Sequence, residues 1–205
     1  MNKKEVSNYT KFRKNFPLDY KILTEKDGCI YYDGEIVEDE NKKYAEGERF
    51  LNIGYNLKNS LSRGLSNLYP LSFTFRGKMV ASIEGVMQGI KYKDRHLQNL
   101  VLNYSGLDAY HTRGANLLDD WTRKGKLYWQ GKEMDRDSEE YQIFVDELFL
   151  SASKNLLYKR FLEATGDKYI LHHIGKVNPA ETVLTRYEFE LRLNSLRAYL
   201  RENKL

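Results

Sequence analysis

The sequence predicts an α+β fold, mainly α, in a single domain with an N-terminal β-hairpin elaboration. Three observations predict it. An Asp-Gly pair (Asp33-Gly34) sits between two short runs rich in aromatic and branched residues. The apolar spacing switches to helical periodicity after residue 82. Two further helical stretches fill the second half, and the chain contains only three prolines. A chain of 205 residues, 41% hydrophobic and 13% aromatic, has enough apolar mass to close one core.

The elements follow in order. CIYYDGEIV (Cys29–Val37) predicts an exposed hairpin, because Asp-Gly supplies the positive φ angles that a two-residue turn requires. A charged loop, Glu38–Arg49, comes after it. Residues 1–60 are therefore assigned to an extension packed on the main domain, 61–205, with no linker between them. Residues Leu65–Ser82 predict strand and turn. Ser82 is the expected N-cap of a helix running to about Asp94, with Ile83, Met87 and Ile90 on its apolar stripe. A long helix or helix pair is expected over Asp137–Thr165, capped by Asp137, buried through Tyr141, Phe144, Val145, Leu148 and Phe149, and stopped by Gly166. The last helix opens on the capping box Thr185-Arg186-Tyr187-Glu188 and buries Phe189, Leu193, Leu196 and Leu200.

Charge and cysteine usage narrow the class. There are 33 basic and 29 acidic residues, net +4, an excess that permits nucleic-acid contact without arguing for it. The single cysteine, Cys29, forms no internal disulfide and suits a reducing compartment. Residues 1–20 lack an apolar signal region, and no stretch approaches the roughly 20 apolar residues that span a bilayer. A cytoplasmic protein without membrane contact is expected. No GxGxxG, Walker A, HExxH or GxSxG motif is present. Adjacent His172 and His173 are expected to face opposite sides of an extended segment, so no metal site and no cofactor is assigned.

One polar row stands out. Glu84, Gln88 and Lys91 repeat the i, i+4, i+7 spacing one residue along from the apolar stripe, so they flank buried residues at the rim of a possible pocket. Such rows are ordinarily solvated helix faces. Downstream, Tyr104, Tyr110 and His111 with Arg95, Arg113, Arg123, Lys124 and Lys126 form an aromatic-basic stretch of the kind that tracks a nucleic-acid strand.

The order of short motifs resembles the NADAR superfamily. It comprises Leu65-Ser66-Asn67-Leu68-Tyr69-Pro70, the turn Arg76-Gly77-Lys78, the helix bearing Glu84, Gln88 and Lys91, Trp129 in LYWQGKEMD, the stretch YQIFVDELFLSASKNLLYKRFLEATGDKYILHH and the final EFELRLNSLRAYL. The Asp and Trp-Gly that many such proteins carry before the last helix are absent, since this region is His172-His173-Ile174-Gly175-Lys176-Val177-Asn178-Pro179. The resemblance implies an N-glycosidase that breaks a ribose C1′–N bond. It gives Glu84 the carboxylate role at C1′ and Lys91 that of cation or Schiff-base nucleophile. Gln88 and Asn67 become polar contacts to the substrate, while Tyr69 and Trp129 offer stacking faces or simply pack. The implied substrate is ADP-ribose on guanine bases of DNA, with alternatives in a phosphorylated riboflavin-pathway intermediate or a non-catalytic ADP-ribose or nucleotide-binding module. Glu188 is explained by its capping box and is left out of the site.

Overall fold

The computed structural model describes residues 23–26, 29–32, 35–38, 50–112 and 119–202. It is α+β and mainly helical, as predicted. Strands β1 (Leu23–Lys26), β2 (Cys29–Tyr32) and β3 (Glu35–Glu38) form an antiparallel sheet, with Tyr32 opposite Glu35 across the expected hairpin. The turn residues Asp33 and Gly34, and the loop 39–49, lie outside the described residues.

The main body begins earlier than residue 61. Strand β4 (Phe50–Asn52) is fully buried and pairs in parallel with β9 (Tyr169–Leu171), Asn52 lying opposite Leu171. Ile53 continues the ladder by donating to the Leu171 carbonyl at 2.8 Å, and its side chain is wholly buried. The hydrophobic residues of 50–54 therefore belong to the core, and a boundary at 60 would cut it.

Helix α1 (Ser60–Gly64) is capped by Asn59, and the hairpin β5 (Phe73–Phe75) and β6 (Lys78–Val80) follows. Arg76 and Gly77 form its turn with φ of 46° and 78°. Phe73 and Phe75 face inward while Thr74 is exposed, the alternation of a half-buried strand. Ser82 caps α2 (Ile83–Gly89) as expected, its Oγ accepting from the Gly85 N–H at 2.9 Å. The helix is shorter than predicted. It ends at Gly89, and Asp94 instead caps a new helix, α3 (Arg95–Leu102). Aspartate's preference for that capping position, with an oxygen accepting from Leu97 N–H, explains the break.

Helices α4 (Gly106–His111) and α5 (Asp119–Lys124) lead to a second hairpin, β7 (Lys126–Trp129) and β8 (Lys132–Asp135), turned by Gln130 and Gly131 at φ of 49° and 88°. The helix or helix pair expected over 137–165 is a pair, α6 (Glu139–Ala152) and α7 (Leu156–Ala164), capped by Ser138 and Asn155 rather than by Asp137. Gly166 follows with φ of 57°. The last helix, α8 (Arg186–Glu202), opens on the predicted box: Glu188 accepts from the Thr185 N–H at 2.7 Å.

Phe75 packs edge-on against Phe144 and Trp129, with ring centroids 5.0 and 5.1 Å apart, at the centre of the core. Among the described residues no helix is long and apolar enough to cross a membrane.

Candidate functional site

The loop before α2 and the helix itself are locked together. The Glu84 N–H donates to the Asn67 carbonyl at 3.0 Å, which seats the Leu65–Pro70 segment against the first turn of α2. From there a hydrogen-bonded row runs along the helix. Gln88 Nε2 donates to Glu84 Oε1 at 2.7 Å, and Lys91 Nζ donates to Gln88 Oε1 at 2.7 Å. The orientation of the amide is dictated by chemistry, because ammonium only donates and carboxylate only accepts. One glutamine thus holds an anion and a cation at a fixed spacing. Lys91 lies just past the end of the helix, where its N–H still bonds to the Gln88 carbonyl at 3.1 Å, so the helical spacing carries over.

This row is no solvated face. Gln88 is 6% and Lys91 7% exposed, while Glu84 is half-buried. All three line a cavity of about 1000 Å³ together with Asn67, at the upper end of roughly 300–1,000 Å³ for ligand pockets. Lys91 Nζ also lies 5.2 Å from the centre of the Trp121 ring, a cation–π contact on the cavity wall.

Two predicted site residues are placed elsewhere. Trp129 is not among the lining residues; its ring is 9% exposed and packs on Phe75 and Phe144. Tyr69 is half-buried and meets Phe161 edge-on at 5.5 Å, also away from the cavity. The chain has two tryptophans, and the one on the cavity wall is Trp121. Burial of an aromatic anchor and display of a stacking face are indistinguishable in sequence, since both favour the same residue type.

The sequence reading also missed part of the cavity lining. Asn52 and His172, at the C-terminal ends of the parallel strands β4 and β9, both line the cavity, as does His173. Adjacent histidines were expected to face apart, but the chain leaves the strand at Leu171 and turns. His172 Nδ1 sits 2.9 Å from the Ile53 carbonyl, and its ring meets Phe189 edge-on at 5.0 Å. Burial lowers the His172 pKa below 6.5, with a smaller push from the Arg186 charge against the pull of the Ile53 carbonyl. The imidazole is therefore neutral at pH 7. Among the described residues no group of three or more His, Cys, Asp or Glu side chains could hold a metal ion.

The aromatic-basic stretch is divided by the fold. Tyr110 and His111 line the cavity, their rings 5.9 Å apart. Lys126 is tied to Asp135 at 2.6 Å and Glu133 at 3.0 Å, and Arg113 lies outside the described residues.

No curated protein and no solved structure matches the chain. The resemblance to the NADAR superfamily is overturned by comparison with family models, where the match, over residues 60–198, is to Bacteriophage protein GP30.3. The short motifs behind that resemblance lie largely inside the matched span, and two of their aromatic residues, Tyr69 and Trp129, have packing roles that any helical core can demand. With more than half of its length matched, the chain belongs to the bacteriophage protein GP30.3 family.

Proposed function

We propose that the cavity hydrolyses a ribose C1′–N bond, with ADP-ribose carried on a guanine base of DNA as the substrate. The observation that carries the reading is the Glu84–Gln88–Lys91 row on the wall of a nucleotide-sized cavity. Breaking a C1′–N bond leaves the electron pair on nitrogen and positive charge on the ribose ring. A fixed carboxylate beside C1′ stabilises that charge and takes a proton from the attacking water. The new C1′–O bond completes the sugar, and the departing nitrogen gains a proton. Lys91, donating to Gln88, suits a fixed cation near phosphate or leaving group rather than a nucleophile. Asn67 and Gln88 serve as ribose contacts, and Trp121 and Tyr110 replace Tyr69 and Trp129 as aromatic faces. The single cysteine, Cys29, agrees with action in a reducing cytoplasm.

Single-turnover hydrolysis of a guanine-ADP-ribosylated oligonucleotide tests this. Glu84→Gln keeps the shape and removes the charge, so the rate should fall about 100- to 1000-fold, the cost of one electrostatic contact of roughly 3–4 kcal/mol. Lys91→Arg should retain much of the activity, and borohydride should trap no adduct. Wild-type turnover by Glu84→Gln would leave the cavity as a binding site without this chemistry.

A second reading, the same cleavage on a free ribosylated nucleotide, is favoured by Lys126, whose charge is already matched by Glu133 and Asp135. Salt separates the two. Binding to the DNA backbone releases counterions and weakens steeply between low and moderate salt, whereas small-molecule binding changes far less.

A further inference from the structure

A second part of the cavity lining is built by two reciprocal clasps between strand ends that lie far apart in sequence. Asn52 Oδ1 accepts from the His173 backbone N–H at 3.3 Å, and His172 Nδ1 bonds to the Ile53 carbonyl at 2.9 Å. Each side chain holds the other strand's backbone, and each clasp fixes which polar atom remains. A backbone N–H only donates, so it claims the Asn52 oxygen and directs the amide nitrogen elsewhere. That Nδ2 has no hydrogen-bond partner among the described residues, although Asn52 is 1% exposed and lines the cavity. A carbonyl only accepts, so the neutral His172 ring carries its proton on Nδ1 and keeps a lone pair on Nε2. Gly175 completes the fixation: a Cβ there would come within 2.7 Å of His172 Cδ2, so only glycine lets the chain close over the ring.

A buried amide donor without a partner is costly, and a ligand that accepts from it removes the cost. The geometry points to Asn52 and His172 as a base-reading pair, with Asn52 Nδ2 donating to an acceptor on a nucleobase edge and His172 Nε2 accepting from the neighbouring N–H. Guanine offers that arrangement through O6 and N1–H. The inference deepens the proposed reaction by assigning the wall that binds the nitrogenous half of the substrate, and it rests on that reading for its choice of ligand.

Titration calorimetry with the full chain tests it without requiring hydrolysis. Guanosine 5′-monophosphate should bind at least tenfold more tightly than purine riboside 5′-monophosphate, which lacks O6 and the N1–H. Asn52→Asp keeps the oxygen that holds the His173 N–H but replaces the donor with an acceptor, so the guanosine preference should collapse to within about twofold while the melting temperature tracks folding. Equal affinities for the two ligands in the wild type overturn the assignment, as does no detectable binding of guanosine 5′-monophosphate. A folded Asn52→Asp protein that keeps the preference also overturns it. The same titration on Glu84→Gln should show the preference intact, so a failed glycosidase reading and a failed base-reading pair give different results.

Discussion

Two sets of polar helix residues run through this protein, and they do different things. The row on α2, Glu84–Gln88–Lys91, borders a cavity, and two hydrogen bonds run along it. The row on α8 is enclosed. Glu188, Glu190, Arg192, Asn194 and Arg197 are all under 10% exposed, and each has a partner outside the helix besides those within it. Glu188 takes both guanidinium nitrogens of Arg136 at 3.1 and 2.6 Å, Gln142 at 2.7 Å, and the Thr185 N–H. Arg192 reaches Gln142 and Asp146, each at 2.8 Å, while Asn194 clamps both backbone groups of Ile170 at 3.0 Å. The difference is one of reach: the α8 residues bind to α6 and β9 across the core, whereas the α2 row lines open volume.

The sharpest way to break this contrast is Glu188→Ala. It strands Arg136, whose side chain is 5% exposed, without its carboxylate. Removing one partner of a buried pair costs about 3–5 kcal/mol, so urea denaturation should show a loss in that range. A loss below about 1 kcal/mol would place the α8 lattice among weak surface pairs. Gly106→Ala is expected to be milder. A Cβ at Gly106 would lie 2.1 Å from the Leu68 carbonyl oxygen, beside the Asn67 carbonyl that seats α2. Overpacking of this kind costs about 1–3 kcal/mol, and because the obstacle is backbone next to the cavity wall, ligand affinity should fall with stability.

How far these rows could be told apart in sequence depends on what marks burial. The Ser82 cap, the Thr185–Glu188 box and the apolar stripes are local signals, and each proved sound. The α8 lattice carries no such signal, because EFELRLNSLR has the composition of a solvated helix, and only α6 and Arg136 packing over it reveal the burial. The cavity was half legible. Asn67, Glu84, Gln88 and Lys91 lie within 25 residues of sequence and share one helix start, whereas Asn52 and His172 meet only through the parallel pairing of β4 with β9. The first helix was read too long because a polar cap, Asp94, restarts the chain inside a continuous apolar pattern.

Protonation sharpens the comparison further, with smaller effects and opposite signs. Burial holds the folded-state His172 pKa below 6.5, so as pH falls through 6.5 the unfolded chain takes up a proton that the folded chain resists. The His172 contribution is therefore present above that pH and lost below it. In the α8 lattice burial pushes Asp146 up from 3.8 to about 7 against the pull of Arg192, so the folded state binds the extra proton and the Asp146 contribution weakens as pH rises between those values. Urea denaturation from pH 7 to pH 5 should show the wild type losing stability relative to His172→Asn. Parallel profiles would mean that the ring titrates as though exposed.

The smallest expected effect is the most telling. Glu84→Gln should change stability by less than about 1 kcal/mol, the scale of a charge at a helix N-terminus. Glu84 is the second residue of α2, where a negative charge favours the helix dipole, so some loss is expected. The other terms offset it. The new amide oxygen still accepts from Gln88 Nε2, and the side chain is half-buried beside a cavity wide enough for water. If Glu84→Gln instead cost as much as Glu188→Ala, the carboxylate would be a structural member like those on α8, and a loss of hydrolysis in that variant would follow from unfolding rather than chemistry. A stable protein that has lost its activity is the result that separates the two rows.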